Sequence, residues 1–148
     1  MEILQHLWLG FQVAVTPTNL LFAFLGVLGG QLIGILPGIG PSAGVAILLP
    51  VTFGINPVSA MIMFAGIYYG AMYGGTITSV LVNIPGEGAS VMTCLDGYQM
   101  AKKGRAGPAL GIAAFGSFIA GTVGTVAFMF FAPWLAGVAL RACEGIAW

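Results

Sequence analysis

The segment Pro37-Gly38-Ile39-Gly40-Pro41-Ser42 decides the fold, because it interrupts a long apolar stretch with residues that disfavour a helix. Its two prolines and two glycines fall within five residues, so a continuous helix through them is not expected. Pro41 suits the first turn of a new helix, where a backbone N–H lacks a partner in any case. We therefore predict a broken segment at residues 37–42, followed by a short helix.

Charged residues are almost absent around this segment. They make up 5% of the 148 residues, against roughly 25% in soluble domains, and none occurs from residue 3 to residue 86. A charge at the centre of a membrane helix costs about 2.5 to 3.5 kcal/mol, so a bilayer would impose such a gap. A crossing needs about 20 apolar residues, which leaves room for about three to four crossings. The composition predicts an all-α, polytopic membrane protein, and the net charge of zero gives no reason to expect nucleic acid as a partner.

Turn residues divide this single membrane domain into elements. Near residue 74 the apolar run becomes polar and rich in glycine, which predicts a second interruption. Broken backbone at membrane depth is tolerated only inside protein or beside a water-filled cavity, so both interruptions are candidate sites. The predicted elements are an interfacial helix at 3–15, a span at 19–36, the broken segment at 37–42, a half-helix at 43–53, a span at 59–73, a polar break at 74–88, an interfacial helix at 90–103 and a span at 107–135.

Two sets of glycines recur at every fourth residue, which puts small positions on one face of each helix. Such faces let neighbouring helices approach closely in a membrane. We expect both faces to serve packing, and to be able to face each other. The two sets are Gly26, Gly30 and Gly34, and Gly66, Gly70 and Gly74.

Several strings resemble, in order and spacing, the large membrane subunit of the tripartite tricarboxylate transporters, the TctA family. The resemblance runs from near the N-terminus to about Arg141, and residues 142–148 depart from it. Members of that family are several times longer, so the chain is expected to be the N-terminal portion of one. The strings are Leu36-Pro-Gly-Ile-Gly-Pro41, Gly66-Ile-Tyr-Tyr-Gly-Ala-Met-Tyr-Gly-Gly75, Thr76-Ile-Thr-Ser79, Asn83-Ile-Pro-Gly-Glu87, Asp96-Gly97-Tyr98 and Gly104-Arg105-Ala106-Gly107.

The resemblance implies a secondary transporter that moves tricarboxylates or related carboxylates across the bacterial inner membrane, driven by an ion gradient. It implies a small membrane subunit and a periplasmic solute-binding protein as partners. No cofactor is expected, although sodium ions or protons are candidates for the coupling ion. Citrate and related tricarboxylates are the namesake substrates of the family.

A carboxylate that enters a membrane must exchange its hydration for aligned donors. Helix N-termini supply such N–H groups without a buried cation. We expect donors at Gly40, Ser42 and Ala43 and near Gly75 and Thr76. The candidate substrate-binding residues are Gly38, Gly40, Pro41, Ser42, Gly75, Thr76, Thr78 and Ser79.

The same hydroxyls, with unwound carbonyls, are oxygen ligands that a sodium ion would accept, so anion and cation sites stay unassigned. Asn83 and Glu87 are the candidates for ion coupling. Glu87 could carry a proton or help hold a cation, or it could simply end the segment as a hydrated carboxylate. Both interruptions could likewise be structural kinks without a ligand.

Two other functions fit the same features. A passive channel could be lined by broken helices, and a structural subunit could scaffold partners without a substrate site of its own. An enzyme is not expected, because the sequence has no paired acids, no His-metal cluster and no nucleophile near a base.

Overall fold

The computed structural model describes the backbone of residues 2–146 and the side chains of residues 5–132 and 134–137. The described part is helical and contains no strand. Its α-helices are α1 (Glu2–Ala14), α2 (Pro17–Gly34), α3 (Gly40–Leu48), α4 (Pro57–Val82), α5 (Val91–Lys102) and α6 (Ala106–Ile146), with short 3-10 helices at Leu49–Thr52 and Gly88–Ser90. Residues 1–110 form one compact unit, and the chain from Gly111 onward forms a second.

Helices α2 and α3 form a helical hairpin. A Cβ atom placed on Gly44 would lie 3.4 Å from Ile33 Cγ2, and one placed on Gly29 would lie 3.4 Å from Leu48 Cδ1. Because the later residue of α3 lies beside the earlier residue of α2, the two helices are antiparallel. The backbone between them, residues 35–39, is not helical, and we call it the hairpin tip. The break predicted at 37–42 is therefore displaced, since α3 begins at Gly40, three residues before the predicted half-helix at 43–53; proline is compatible with the first turn of a helix.

Helices α2 and α4 pack in parallel, with their glycines at the contact. Gly26 lies against Met63, Gly30 against Ile67 and Gly34 against Ala71. Residue numbers thus rise in the same direction along both helices. A Cβ on Gly30 would overlap the backbone of Ile67, because the two main chains touch there. From α4, Cβ atoms on the glycines would lie 2.7 Å (Gly66) and 2.6 Å (Gly74) from carbonyl oxygens of α2. Close backbone packing of this kind requires residues without side chains.

The polar break predicted to begin at residue 74 is wrong in its extent, since α4 continues to Val82. Glycine pairs lower helix propensity without ending a helix when packing favours it. The hydroxyls that follow are bonded within α4, as Thr78 Oγ1 and Ser79 Oγ both donate to the carbonyl of Gly75, at 2.9 and 2.8 Å. Such bonds to earlier carbonyls satisfy Ser and Thr inside a helix. The non-helical part is only residues 83–87, and we call it the α4–α5 loop.

Two described helices are long and apolar enough to cross a membrane, Pro17–Gly34 and Ala106–Ala132. The span predicted to end at 135 is longer in the structure, because α6 runs on to Ile146. Pro133 removes one backbone donor near the predicted end, but α6 continues past it. Helix α4, which contains the span predicted at 59–73, is 26 residues long, but it is not one of the two described helices that are apolar enough to cross a membrane.

Candidate functional site

The hairpin tip and the α4–α5 loop meet in the structure. The N–H of Gly38 in the hairpin tip donates a hydrogen bond to the carbonyl oxygen of Gly86 in the α4–α5 loop, with the two atoms 3.4 Å apart. The two residues are far apart in sequence, so this bond ties together two segments that the intervening helices separate. One locus therefore contains backbone from both breaks.

Three glycines from three elements lie together where these segments meet, and we call them the glycine junction: Gly34, Gly75 and Gly86. A Cβ on Gly86 would overlap the Cα of Gly75 and lie 3.1 Å from the carbonyl oxygen of Gly34. A Cβ on Gly75 would lie 3.3 Å from the Cα of Gly86. The end of α2, the middle of α4 and the α4–α5 loop thus touch through their main chains.

The hairpin tip needs glycine for its backbone angles rather than for space. Gly38 has φ of +87° and Gly40 has φ of +66°, a region that residues with a side chain rarely adopt. No atom lies within 4 Å of a Cβ built on either glycine. The glycines here turn the chain from α2 into α3.

The first turn of α3 supplies free donors beside the tip. Pro41 occupies this turn and has no N–H to lose. The N–H groups of the N-cap and of the first three residues of a helix have no partner within it, which leaves Gly40 and Ser42 as free donors in this turn. Ala43, expected as a third donor, is the fourth helical residue, where the N–H pairs with the carbonyl of the N-cap Ile39. Ser42 is exposed, so its hydroxyl and N–H are accessible at the tip.

The tip lies alongside α4 and not beyond its end. Gly34, the last residue of α2, is level with Ala71, and α4 continues from there to Val82. At 1.5 Å per residue this extension is roughly 16 Å long. The interruption therefore lies well within the length of a helix that is itself long enough to span a bilayer.

The structure changes the roles expected for the residues of α4. The N–H groups of Gly75 and Thr76 lie inside a continuous helix, where they bond to earlier carbonyls, so they are not free donors. Thr76 Oγ1 donates to the carbonyl of Met72 at 3.2 Å, and Thr78 and Ser79 are buried. These three hydroxyls retain only acceptor capacity.

Asn83 ends α4 in the left-handed conformation, with φ of 61°. Asparagine is among the few residues with a side chain that adopt this conformation readily, and the side chain is exposed. The structure thus gives Asn83 a role in ending the helix, which does not depend on an ion.

Glu87 lies at the edge of the glycine junction. Its Cγ atom is 3.7 Å from the position of a Cβ on Gly75. Its backbone N–H donates to Ser90 Oγ at 3.2 Å, and that hydroxyl donates back to the Glu87 carbonyl at 2.9 Å. Partial burial raises the pKa of Glu87 above its ordinary value of 4.5, because desolvation disfavours the carboxylate.

Sequence reasoning missed two residues of this locus. The sequence pattern predicts a packing role for Gly34, and Gly86 is not among the candidate residues. The signal for Gly86 was its place in an Ile-Pro-Gly-Glu string between two polar segments, but its partners lie in other elements and no local pattern specifies them. No group of three or more His, Cys, Asp or Glu that could hold a metal occurs among the described residues.

The fold and the junction define an all-helical protein whose paired helices are held by glycine contacts and joined at two backbone interruptions. The chain belongs to the tripartite tricarboxylate transporter TctA family, whose sequence profile matches residues 20–145. This confirms the resemblance, and the match extends a few residues past Arg141, where the likeness was expected to end. The family is one of transporter components and not of enzymes, which confirms the expectation that the chain is not an enzyme.

The chain is also similar to a protein of Agrobacterium vitis described as an uncharacterized 52.8 kDa protein in the TAR-I ttuC' 3' region. The two sequences are 56% identical over 141 residues, which is 95% of this chain and 28% of the relative. The chain thus spans little more than a quarter of the relative's length. No solved structure matches.

Proposed function

We propose that the chain is part of the large membrane subunit of an ion-driven transporter for tricarboxylates or related carboxylates. It would lie in the bacterial inner membrane as a multi-pass protein. A small membrane subunit and a periplasmic solute-binding protein would be its partners. Family membership supports the transport role.

The bond between Gly38 and Gly86 carries the proposal. It joins two non-helical segments within the length of α4, and broken backbone at membrane depth is tolerated where it lines a cavity or is enclosed by protein. A tight structural kink would need neither a second interruption nor a polar contact between the two. We propose that a carboxylate binds where the two segments meet.

The first turn of α3 is the proposed anion-binding element. Gly38 and Gly40 give the backbone its turn into α3, Pro41 lies in the first turn of the helix, and Gly40 and Ser42 offer N–H groups to an anion. The positive end of a helix dipole favours negative charge by about 0.3 to 1 kcal/mol at exposed sites. Gly75 contacts the main chain of Gly86 in the α4–α5 loop. The hydroxyl oxygens of Thr76, Thr78 and Ser79 can only accept hydrogen bonds, which suits a cation better than an anion.

Ion coupling is proposed at the α4–α5 loop. Glu87 is half-buried beside Gly75, and its raised pKa favours proton uptake near the site. Asn83 and the loop carbonyls add oxygen atoms that a sodium ion could use instead. A proton and a sodium ion are thus both candidates, and the coupling assay below separates them.

Location in a membrane is supported by the exposed side chains of α6. Phe115 and Phe118 are 74% and 73% exposed, and no side chain from residue 111 to residue 132 is buried. Water would oppose so large an apolar surface. A bilayer would cover it, as would helices of a longer protein.

Transport is proposed to need more than these 148 residues, because the chain spans 28% of its relative and transporters of this kind commonly build a site between two related halves. The test is uptake of radiolabelled citrate and other di- and tricarboxylates into vesicles. The chain is assayed alone and joined to the remaining part of the Agrobacterium vitis relative, with sodium or proton gradients imposed in turn.

We expect saturable uptake against a gradient only by the joined protein, and only with one of the two ion gradients. Ser42→Ala should reduce this uptake, whereas Ser117→Ala, at an exposed serine of α6, should not. Downhill flux that ignores both ion gradients would mean a channel. Equal uptake by the wild type and by Ser42→Ala would mean that the carboxylate does not bind at the first turn of α3.

A further inference from the structure

We propose that Gly86 is the positioning residue of the hairpin tip: its carbonyl holds Gly38, and its lack of a side chain lets the loop reach that carbonyl into place. This inference rests on the proposed function, since it assigns the element that fixes the anion-binding turn. Gly86 itself touches no substrate in this account. It acts through the tip.

The geometry ties the hydrogen bond to the glycine contact. The Cα of Gly86 rests on Gly75, and the carbonyl of the same residue accepts from Gly38. A methyl group on Gly86 would overlap the Gly75 main chain, and a main chain inside a helix cannot rotate away as a side chain can. Non-bonded carbon atoms settle about 3.5 to 4.0 Å apart, so the loop would have to move by on the order of 1 Å.

That movement would break the tie to the tip. The Gly38–Gly86 bond is already long at 3.4 Å, compared with a usual N···O distance of about 2.9 to 3.0 Å. A further shift of the acceptor leaves the N–H of Gly38 without a partner in the loop. The tip then loses its hydrogen bond to the α4–α5 loop.

Gly88 provides the matched control. It lies two residues from Gly86 in the same connection, its φ lies outside the left-handed region, and a Cβ there would meet no atom within 4 Å. Gly86→Ala and Gly88→Ala therefore make the same chemical change with opposite steric consequences. Any effect of simply adding a methyl group to this connection should be equal in both.

The first readout is transport kinetics of the joined protein. Gly86→Ala should raise the KM for the carboxylate on the order of tenfold, the change expected from losing one positioned hydrogen bond, with kcat changed much less. A merely structural defect would lower the amount of active protein and leave KM unchanged. Gly88→Ala should match the parent in both parameters.

The second readout is the reactivity of the tip in this chain itself, reconstituted in vesicles. Leu36→Cys places a thiol in the exposed part of the tip, in a background with Cys94→Ala and Cys143→Ala. Gly86→Ala should raise the labelling rate with a maleimide severalfold, and Gly88→Ala should not. Equal labelling rates in the Gly86→Ala and Gly88→Ala backgrounds, or an unchanged KM, would overturn the positioning role.

The two readouts keep this inference separate from the proposed function. Faster labelling in Gly86→Ala, together with no uptake by any joined protein, would uphold the positioning of the tip and remove the transport role. Normal uptake and normal labelling in Gly86→Ala would uphold transport and remove the positioning role.

Discussion

The glycine face of α2 allows a sharp test, because two adjacent glycines differ in what they contact. A Cβ on Gly30 would overlap the carbonyl and Cα of Ile67, whereas a Cβ on Gly29 would lie 3.4 Å from the end of the Leu48 side chain. The first neighbour is helix backbone and the second is a flexible side chain. Gly29→Ala is therefore a matched control for Gly30→Ala.

The two substitutions are expected to change the free energy of unfolding in opposite directions. Replacing glycine by alanine inside a helix stabilises it by about 0.5 to 1 kcal/mol where space permits, which applies to Gly29. Forcing extra volume into a packed contact typically costs about 1 to 3 kcal/mol, and at Gly30 it must also separate two helices. Both variants gain the helix propensity of alanine, so this gain cancels, and we expect Gly30→Ala to be less stable than Gly29→Ala by the packing cost, about 1 to 3 kcal/mol.

The assay is unfolding of the purified chain in mixed micelles, followed by tryptophan fluorescence and by helical circular dichroism. Gly29→Ala should unfold at the same or a higher denaturant concentration than the parent, and Gly30→Ala at a clearly lower one. Equal midpoints for the two variants would refute the close packing of α2 on α4. A loss of stability in both would mean that alanine is poorly tolerated in α2 for another reason.

Two further predictions concern the α4–α5 loop. Asn83→Gly should leave stability unchanged or slightly raised, and Asn83→Val should lower it by about 1 to 2 kcal/mol, because the left-handed conformation penalises a branched side chain; equal unfolding midpoints for the two variants would contradict this helix end. For Glu87, burial raises the folded pKa above 4.5, so the folded state binds the proton more tightly than the unfolded state does. The free energy of unfolding should then fall as pH rises from 4.5 through the folded pKa of Glu87. Glu87→Gln should remove that pH dependence. Identical pH profiles of the parent and Glu87→Gln would contradict the raised pKa.

The sequence specified the local features of the fold well. The prolines and glycines of residues 37–42 predict a break, and the structure has it slightly earlier, at residues 35–39, because Gly40, Pro41 and Ser42 form the first turn of α3. The break expected at residue 74 failed because glycine and threonine only weaken a helix, and tight packing on α2 together with bonds such as Ser79 Oγ to Gly75 outweighs that weakness.

The junction itself could not be predicted from sequence pattern. Gly34, Gly75 and Gly86 belong to three elements, and their contact depends on how the loop folds back over α4. Spacing within one helix indicates which face is small but not which distant backbone fills it. The same limit explains why the sequence pattern indicates the polar residue Glu87 and not its neighbour Gly86, whose carbonyl accepts from Gly38.

The most direct test of the central claim is whether a carboxylate occupies the hairpin tip. The joined protein carries Leu36→Cys with every other cysteine replaced by alanine, and its maleimide labelling is measured with citrate, with other di- and tricarboxylates, and with an uncharged polyol of similar size. Phe53→Cys, an exposed position beyond α3, is the control. We predict that a transported carboxylate slows labelling at residue 36 and leaves residue 53 unchanged, while the polyol affects neither. Labelling at residue 36 that no carboxylate alters, in a protein that is actively taking that carboxylate up, would contradict the account.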